Sequence, residues 1–567
     1  MFNPIVGISF GNVSSSIAIV KQDNKGTVEV IANQDGERTI PSALSYRGDD
    51  EYHGGQAIQQ LVRNPKNTII NFRDFLSFDK FSEIDSQLIK DRTGSGNGCE
   101  LVDIGDDKPG FILEQGKTKL SVIEVSARHL KNLKLAAEDY TGITLEKCTL
   151  TVPVDFNETA KKNLAEAALK AGLQVIQFIA EPTAGLLSIL ESSQATSHSI
   201  LVNKREQKDK NVVVADFGGF TSTVSVYSIR NNGILSSLHT EINHKLGGEN
   251  MDDALIKFLA ADFEKKTKTE CLNNIRSLAK LKINAILTKK TLSNVTNATV
   301  GIDSLAEGLD LHTSINRLRY ELVISKIVNE MTSFVESTIA KTGLDLLEID
   351  AVVLLGGASF TPKLTVNLQD VFSDGECEII SLTSGNESQH PDEMISAGAA
   401  YQAALLEEDD TEALETLVEH AVSVPHLNQT IGLINAEGAF EPIFEKNTPL
   451  PSRKSFKLYK QVKDFQLELY TGKVEIKETV EEPPAKEEKT EEANKDDDDE
   501  SDWSDDEDDE PEVIREKVYA KQDKLLSFGG KGGKKGCELI FEISKDCGLK
   551  IVVRDLSTGE VTSKAQL

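Results

Sequence analysis

Tryptophan occurs once, methionine four times and cysteine six times in 567 residues. The cysteines (Cys99, Cys148, Cys271, Cys377, Cys537, Cys547) are scattered, none forms a CxxC pair, and no histidine sits at zinc-ligand spacing. Neither a disulfide framework nor a zinc centre is signalled, and a reducing compartment is expected. No apolar run approaches about 18 residues, which excludes a helical membrane span. The N-terminus has no basic stretch before its apolar residues, so no secretory signal is expected. Basic residues are in deficit: 62 Lys and Arg stand against 92 Asp and Glu, a net charge of −30. A direct grip on nucleic acid needs clustered cations, so that class is excluded as well. The charge is uneven. Residues 478–512 hold 20 acidic residues against three lysines, which is −17 of the −30.

Length alone predicts roughly three to four domains. Residues 1–404 alternate β-branched runs (Ile5–Phe10, Ser16–Lys21, Thr149–Val152, Asn211–Ala215, Thr223–Ser228, Ala351–Leu355) with helical patterns (Val122–Tyr140, Asn157–Ala171, Ser314–Thr342). This interleaving predicts an α/β domain. Residues 405–420 are acidic and helix-permissive and read as an interdomain linker. From Ala421 the pattern becomes short alternating segments, at Thr430–Asn435, Phe456–Lys463, Asp464–Tyr470 and Cys537–Arg554, which predict an all-β domain over 421–477 and 513–567. The tract 478–512 between them cannot bury enough apolar surface to offset its ordering entropy and is expected to be disordered.

Glycine recurs just after the strand-like runs. The first loop contains Gly11, Asn12 and Val13, the second Gly218, Gly219, Phe220 and Thr221, the third Gly247, Gly248 and Glu249, and the fourth Gly356 and Gly357. A single Gly-Gly pair is usually a turn. Four such loops after strands point to backbone N–H groups cradling phosphates. The order strand, glycine loop, hairpin occurs near residue 10 and again near 217, which predicts two related lobes around a nucleotide cleft.

These loops, with Asn64–Thr68, Thr151-Val152-Pro153, Ala180–Ala184, Ile302–Gly308, Thr313–Arg317 and Pro391–Glu393, resemble the actin-like ATPase domain of the heat shock protein 70 (DnaK-type) chaperones. Glu445–Pro449 and Phe541–Gly559 resemble that family's peptide-binding β domain. The implied fold is a two-lobed actin-like ATPase domain followed by a truncated β domain without the family's helical lid. The implied ligand is ATP, with Mg2+ possible but no residue set assigned to a metal. The resemblance places nucleotide contacts at Gly11, Asn12, Val13, Asp216, Gly218, Gly219, Thr221, Gly247, Gly248, Glu249, Lys289, Lys290, Ser293, Gly356, Gly357, Phe360 and Asp392.

The departures concern the chemistry. Ser9 stands where the family has an aspartate that helps hold hydrated magnesium and the attacking water. Arg73 replaces the catalytic lysine and Asp74 the arginine after it. Phe220 replaces a phosphate-loop glycine, and Thr223 an aspartate. Glu181, Asp216 and Thr221 persist. At the nucleoside end Ile286 replaces a glutamate, and Lys290 and Phe360 replace two adenine-stacking arginines. Arginine is a planar fork where lysine is a compact donor, and in-line attack on a γ-phosphate tolerates little displacement. Nucleotide binding with hydrolysis lost or very slow is therefore expected, and no residue is assigned as catalytic. The alternative is a self-sufficient ATP-hydrolysing, peptide-binding chaperone.

The Gly-Ile-Ser-Phe-Gly-Asn loop, residues 52–56 and 67–75, the short β domain and the tract around Trp503 are most similar to the atypical family members of fungal ribosome-associated complexes. That likeness implies a cytoplasmic, ribosome-associated co-chaperone in a stable heterodimer with a J-domain protein resembling zuotin. Ribosome contact would run mainly through that partner, and the pair would stimulate a separate, conventional ribosome-bound chaperone of the family. No direct nucleic-acid or membrane contact is implied.

Overall fold

The computed structural model describes residues 4–21, 27–94, 98–113, 117–192, 209–230, 234–381, 390–408, 425–435, 438–459, 464–481, 512–533 and 535–567. The expected disorder of the acidic tract, Trp503 and most of the linker lie outside them. Two compact units emerge, one drawn from residues up to Ser423 and the other from Val424 to Leu567 with two short earlier segments.

The first unit contains one topology twice. In the first lobe, β1 (Ile5–Phe10), β2 (Ser14–Val20) and β3 (Val28–Val30) form an antiparallel meander. Two further strands, β4 (Lys147–Val152) and β5 (Gln174–Ala180), add in parallel on the far side of β1, giving the order β3-β2-β1-β4-β5. In the second lobe the meander is β6 (Lys210–Phe217), β7 (Ser222–Arg230) and β8 (Ile234–Asn243). Here the parallel additions are β9 (Ala351–Leu355) and β10 (Glu378–Ile380), and the order is β8-β7-β6-β9-β10. The predicted two lobes are thus present. The hairpin registers match, with Phe10 opposite Ser15 and Phe217 opposite Ser222. The repeat therefore makes Ser9 the first-lobe counterpart of Asp216.

Helix α1 (Val122–Thr141) begins with a capping box between Ser121 and Glu124, and α2 (Glu158–Lys170) with Asn157 as N-cap, close to the predicted spans. The third helical prediction needs correction: Ser314–Asn316 belongs to a strand, Leu309–Asn316, paired with Asn297–Ala306, and the helix starts at Arg317. Its N-cap Asn316 explains the late start, since the Asn316 Oδ1 accepts from the Arg319 N–H. Helix α3 (Glu181–Ser192) follows β5 with no intervening residue, which sets Glu181 at a strand end and a helix start together. Helix α4 (Met394–Glu408) packs against β1 and α3. It takes Leu405–Glu408 from the segment predicted as linker.

The first-lobe core gathers Phe10, Phe72, Phe75 and Phe111, all fully buried. His129 of α1 sits among them, 5.9 Å from the rings of Phe10 and Phe72, with neither ring nitrogen hydrogen-bonded. Burial holds it neutral, with its pKa pushed down to about 3. An unfolded histidine charges below about 6.5, so stability is present above that pH and declines between about 6.5 and 3. We expect His129→Phe to flatten this acid limb, which for wild type should cost about 1.4 kcal/mol per pH unit from this group. Chemical denaturation of both proteins at about pH 7.5 and 5.5 measures the difference.

The second unit holds two four-stranded sheets. One contains Thr430–Ile434, Phe440–Phe444, Phe465–Glu481 and Glu512–Gly530, and the other Ser452–Leu458, Cys537–Ile543, Leu549–Asp555 and Val561–Gln566. Phe444, Leu469, Phe541 and Ile551 share its core. The acidic tract is bounded differently from its composition: pairing continues from Phe465 opposite Gly530 out to Glu481 opposite Glu512. Backbone pairing of Thr479 opposite Ile514 and Val480 opposite Val513 carries the ladder into the charged sequence.

Candidate nucleotide site

The hairpin turns of the two lobes face one another. Val13, in the first turn, lies against Gly219 in the second, where a Cβ would collide with its Cγ2. The second turn is sewn to the third loop: Gly248 N–H donates to Gly218 O (2.9 Å) and Glu249 N–H to Gly219 O (2.8 Å). The fourth loop closes on the end of β6. Gly356 has φ +81°, and a Cβ there would stand 2.5 Å from Asp216 Oδ1. A left-handed backbone and lack of room both require glycine at that position. The four loops expected from their glycines therefore meet at one place.

Four charged groups occupy the floor. Arg73 is buried, and its Nη1 donates to Glu181 Oε1 (2.9 Å) and to Phe10 O (3.4 Å). Its Nε and Nη2 reach Asp74 Oδ1 at 3.4 and 3.3 Å, and its backbone N–H donates to Asn12 Oδ1 at 3.0 Å. Asp74 also accepts from Arg92 Nε at 2.8 Å. The Arg92 guanidinium lies 4.1 Å from the Phe220 ring centroid, which ties a first-lobe side chain to a second-lobe loop. Phe220 is thus seated against Arg92. The chain Phe220–Arg92–Asp74–Arg73–Glu181 crosses the cleft. Sequence reasoning found Arg73, Glu181 and Phe220. It missed Arg92, which no loop motif marks, and treated Asp74 only as a lost arginine.

Asp216 is 8% exposed. Burial, then the Glu181 carboxylate, push its pKa up to about 7, with Arg73 opposing. Burial raises Glu181 too, again opposed by Arg73. Despite its own burial, Asp74 is held below the usual carboxylate range by the guanidiniums of Arg73 and Arg92. The stabilising contribution of Asp216 is full below about pH 4 and is lost as pH rises through about 7. Asp216→Asn is expected to raise the melting temperature of nucleotide-free protein by several degrees at about pH 8. At about pH 4 it should do nothing, which thermal unfolding at both values checks.

At the predicted nucleoside end the side chains are engaged with one another. Lys289 Nζ bonds Asp252 Oδ2 (2.7 Å) and Gly248 O (3.1 Å). Glu249 pairs with Lys282 (2.9 Å). Ser293 Oγ donates to Lys289 O, and Lys290 is exposed. The Phe360 ring lies 5.9 Å from that of His390, and Asp392 Oδ2 accepts from Thr39 Oγ1 at 3.0 Å. Ser9 is the penultimate residue of β1, and Thr223 is buried on β7 opposite Asp216.

The residues fit a polyphosphate. Glycines stand where the loops converge, and the buried Asn12 Nδ2 has no acceptor among the described residues. To a divalent cation, which takes one or two carboxylates besides phosphate oxygens and waters, the residues offer little. The strand ends offer Ser9 and Thr223 beside a single carboxylate, Asp216, and Glu181 is already paired with a guanidinium.

Comparisons with known proteins identify the family. The profile of the Hsp70 protein family matches residues 5–491. The chain is 49% identical over 565 residues, 99% of both chains, to the ribosome-associated complex subunit SSZ1 of Saccharomyces cerevisiae. It is 35% identical over 580 residues, covering 100% of this chain and 94% of the other, to heat shock protein 70 homolog C57A7.12 of Schizosaccharomyces pombe. With heat shock 70 kDa protein 14 of Danio rerio it shares 30% identity, over 80% of this chain and 85% of the relative.

Proposed function

The chain belongs to the Hsp70 family, and from that premise we propose that it is a non-hydrolysing co-chaperone subunit of a ribosome-associated complex. In this reading ATP is a structural ligand held between the lobes by Gly11–Val13, Gly218–Thr221, Gly247–Glu249, Gly356 and Gly357. Binding to the folded state alone stabilises the two-lobed unit. The partner is a J-domain protein of the zuotin type. The pair activates the ATPase of a separate, conventional family member at the ribosome in the cytoplasm.

The observation that carries the assembly reading is end-to-end identity of 49% with a subunit of such a complex. The chemical reading is supported by Arg73, whose guanidinium is fastened to Glu181. A lysine at this position would present a mobile ammonium to phosphate and water. The arginine fork has two protein carboxylates as acceptors and is fixed in place. The test is reconstitution. Chain and partner together should accelerate phosphate release by a conventional ribosome-bound member, and the variant Glu181→Gln, whose amide oxygen can still accept from Arg73 Nη1, should accelerate it equally. Loss of stimulation in that variant would favour the alternative, a chain that works by its own ATP cycle.

A further inference from the structure

The cleft floor presents unpaired donors, and one carboxylate with no cation. Of the five N–H groups on the Arg73 guanidinium, hydrogen bonds to Glu181, Phe10 O and Asp74 account for four. The fifth has no acceptor among the described residues. Asn12, 7% exposed, aims its Oδ1 at the Arg73 backbone while its buried Nδ2 has no partner. Of the two, Asn12 Nδ2 is the buried orphan, and a buried unpaired donor is costly and signals an absent acceptor.

The lobes' repeat explains why the other half of a metal site is missing. Ser9 and Asp216 are equivalent strand ends, opposite Ser16 and Thr223. One of these four positions carries a carboxyl group. A divalent ion beside Asp216 would also face Arg73, which is a like charge already bonded to the nearest second carboxylate.

We propose that the nucleotide in this cleft is bound as the free triphosphate anion rather than as its magnesium complex, with the Arg73 guanidinium supplying the positive charge a divalent ion would otherwise bring. This rests on the nucleotide-binding reading above. Arg73 is a fixed charge, held at its backbone by Asn12 and at its guanidinium by Glu181 and Asp74, so it costs no reorganisation when an anion arrives. Asp216 is the floor carboxylate with no hydrogen-bonded cation among the described residues, and burial, opposed by Arg73, raises its pKa to about 7, which lessens its repulsion of the phosphates. Asp74 and Arg92 complete the floor, and the Phe220 ring holds Arg92 across from the second loop.

The experiment is calorimetric titration of the purified chain, with its partner, against ATP in excess Mg2+ and in EDTA. The expected result is an apparent affinity at least about tenfold weaker in excess Mg2+, because magnesium withdraws the free anion from solution; equal or tighter binding in Mg2+ overturns the proposal. Absence of binding in both buffers overturns the nucleotide reading itself, so the two failures are distinct. A second readout uses Mn2+ and ATP by electron paramagnetic resonance. The protein should produce no bound-manganese spectrum, and a protein-dependent spectrum contradicts the proposal. Arg73→Lys, which keeps the charge, should bind in EDTA within a few fold of wild type, and Arg73→Gln should lose at least about tenfold. Equal binding by wild type and by a folded Arg73→Gln protein, judged by its melting curve, also overturns it.

Discussion

Mixed with a trace of ATP in a single-turnover experiment, this chain is expected to release phosphate at least about a thousandfold more slowly than a conventional Hsp70. Loss of one preorganised charge at a transition state costs on the order of a hundred- to a thousandfold. Here the changes meet on one reaction. Ser9 lacks a carboxylate, Arg73 is bonded to Glu181, and Phe220 stands in a phosphate loop against Arg92. Groups that act as a unit are not additive, so single reversions such as Ser9→Asp or Phe220→Gly should restore nothing measurable. Turnover near that of a conventional member, abolished by Glu181→Gln or Asp216→Asn, would contradict this account.

The largest effect on stability is expected at Gly398. Helix α4 passes α3 so closely that a Cβ at Gly398 would overlap the Ala184 carbonyl, and one at Gly7 would overlap the Ala400 backbone nitrogen. Both obstacles are backbone, which cannot swing aside. Gly398→Val should destabilise the first unit by about 4 kcal/mol or more, within the range of severe overpacking and strain. Soluble yield and the melting transition report it. Gly357→Ala is the matched control, since nothing lies within 4 Å of the added carbon, and it should fold normally.

The first unit was legible because its signals are local. Gly-rich turns follow β-branched runs, and the near-identical hairpin registers repeat what the sequence shows twice. Capped helices such as Val122–Thr141 are equally plain. The hairpin arms flanking the acidic tract were misjudged at their ends, because composition weighs charge whereas backbone pairing runs on through Thr479 and Val480, opposite Ile514 and Val513. Strands such as Phe440–Phe444 and Val561–Gln566 carry too weak an alternation to stand out. In the site, position-by-position likeness identified Ser9, Arg73, Glu181 and Phe220. It did not reveal that Arg92 joins Phe220 to Asp74, since Arg92 is distant in sequence from the four phosphate-type loops. The same holds for the pairs Lys289–Asp252 and Thr39–Asp392, where residues expected to face nucleotide have protein partners. Pairing across a cleft is a tertiary fact, and no spacing rule in one strand or helix encodes it.

The central claim is that this chain retains ATP intact while assembled with another protein. Native mass spectrometry of the complex taken from cells, then held for hours with ATP, tests it most directly. The account predicts one copy of this chain, one partner chain and a bound nucleoside triphosphate that stays a triphosphate. Recovery of a nucleotide-free monomer, or conversion of the bound triphosphate to diphosphate, would contradict it.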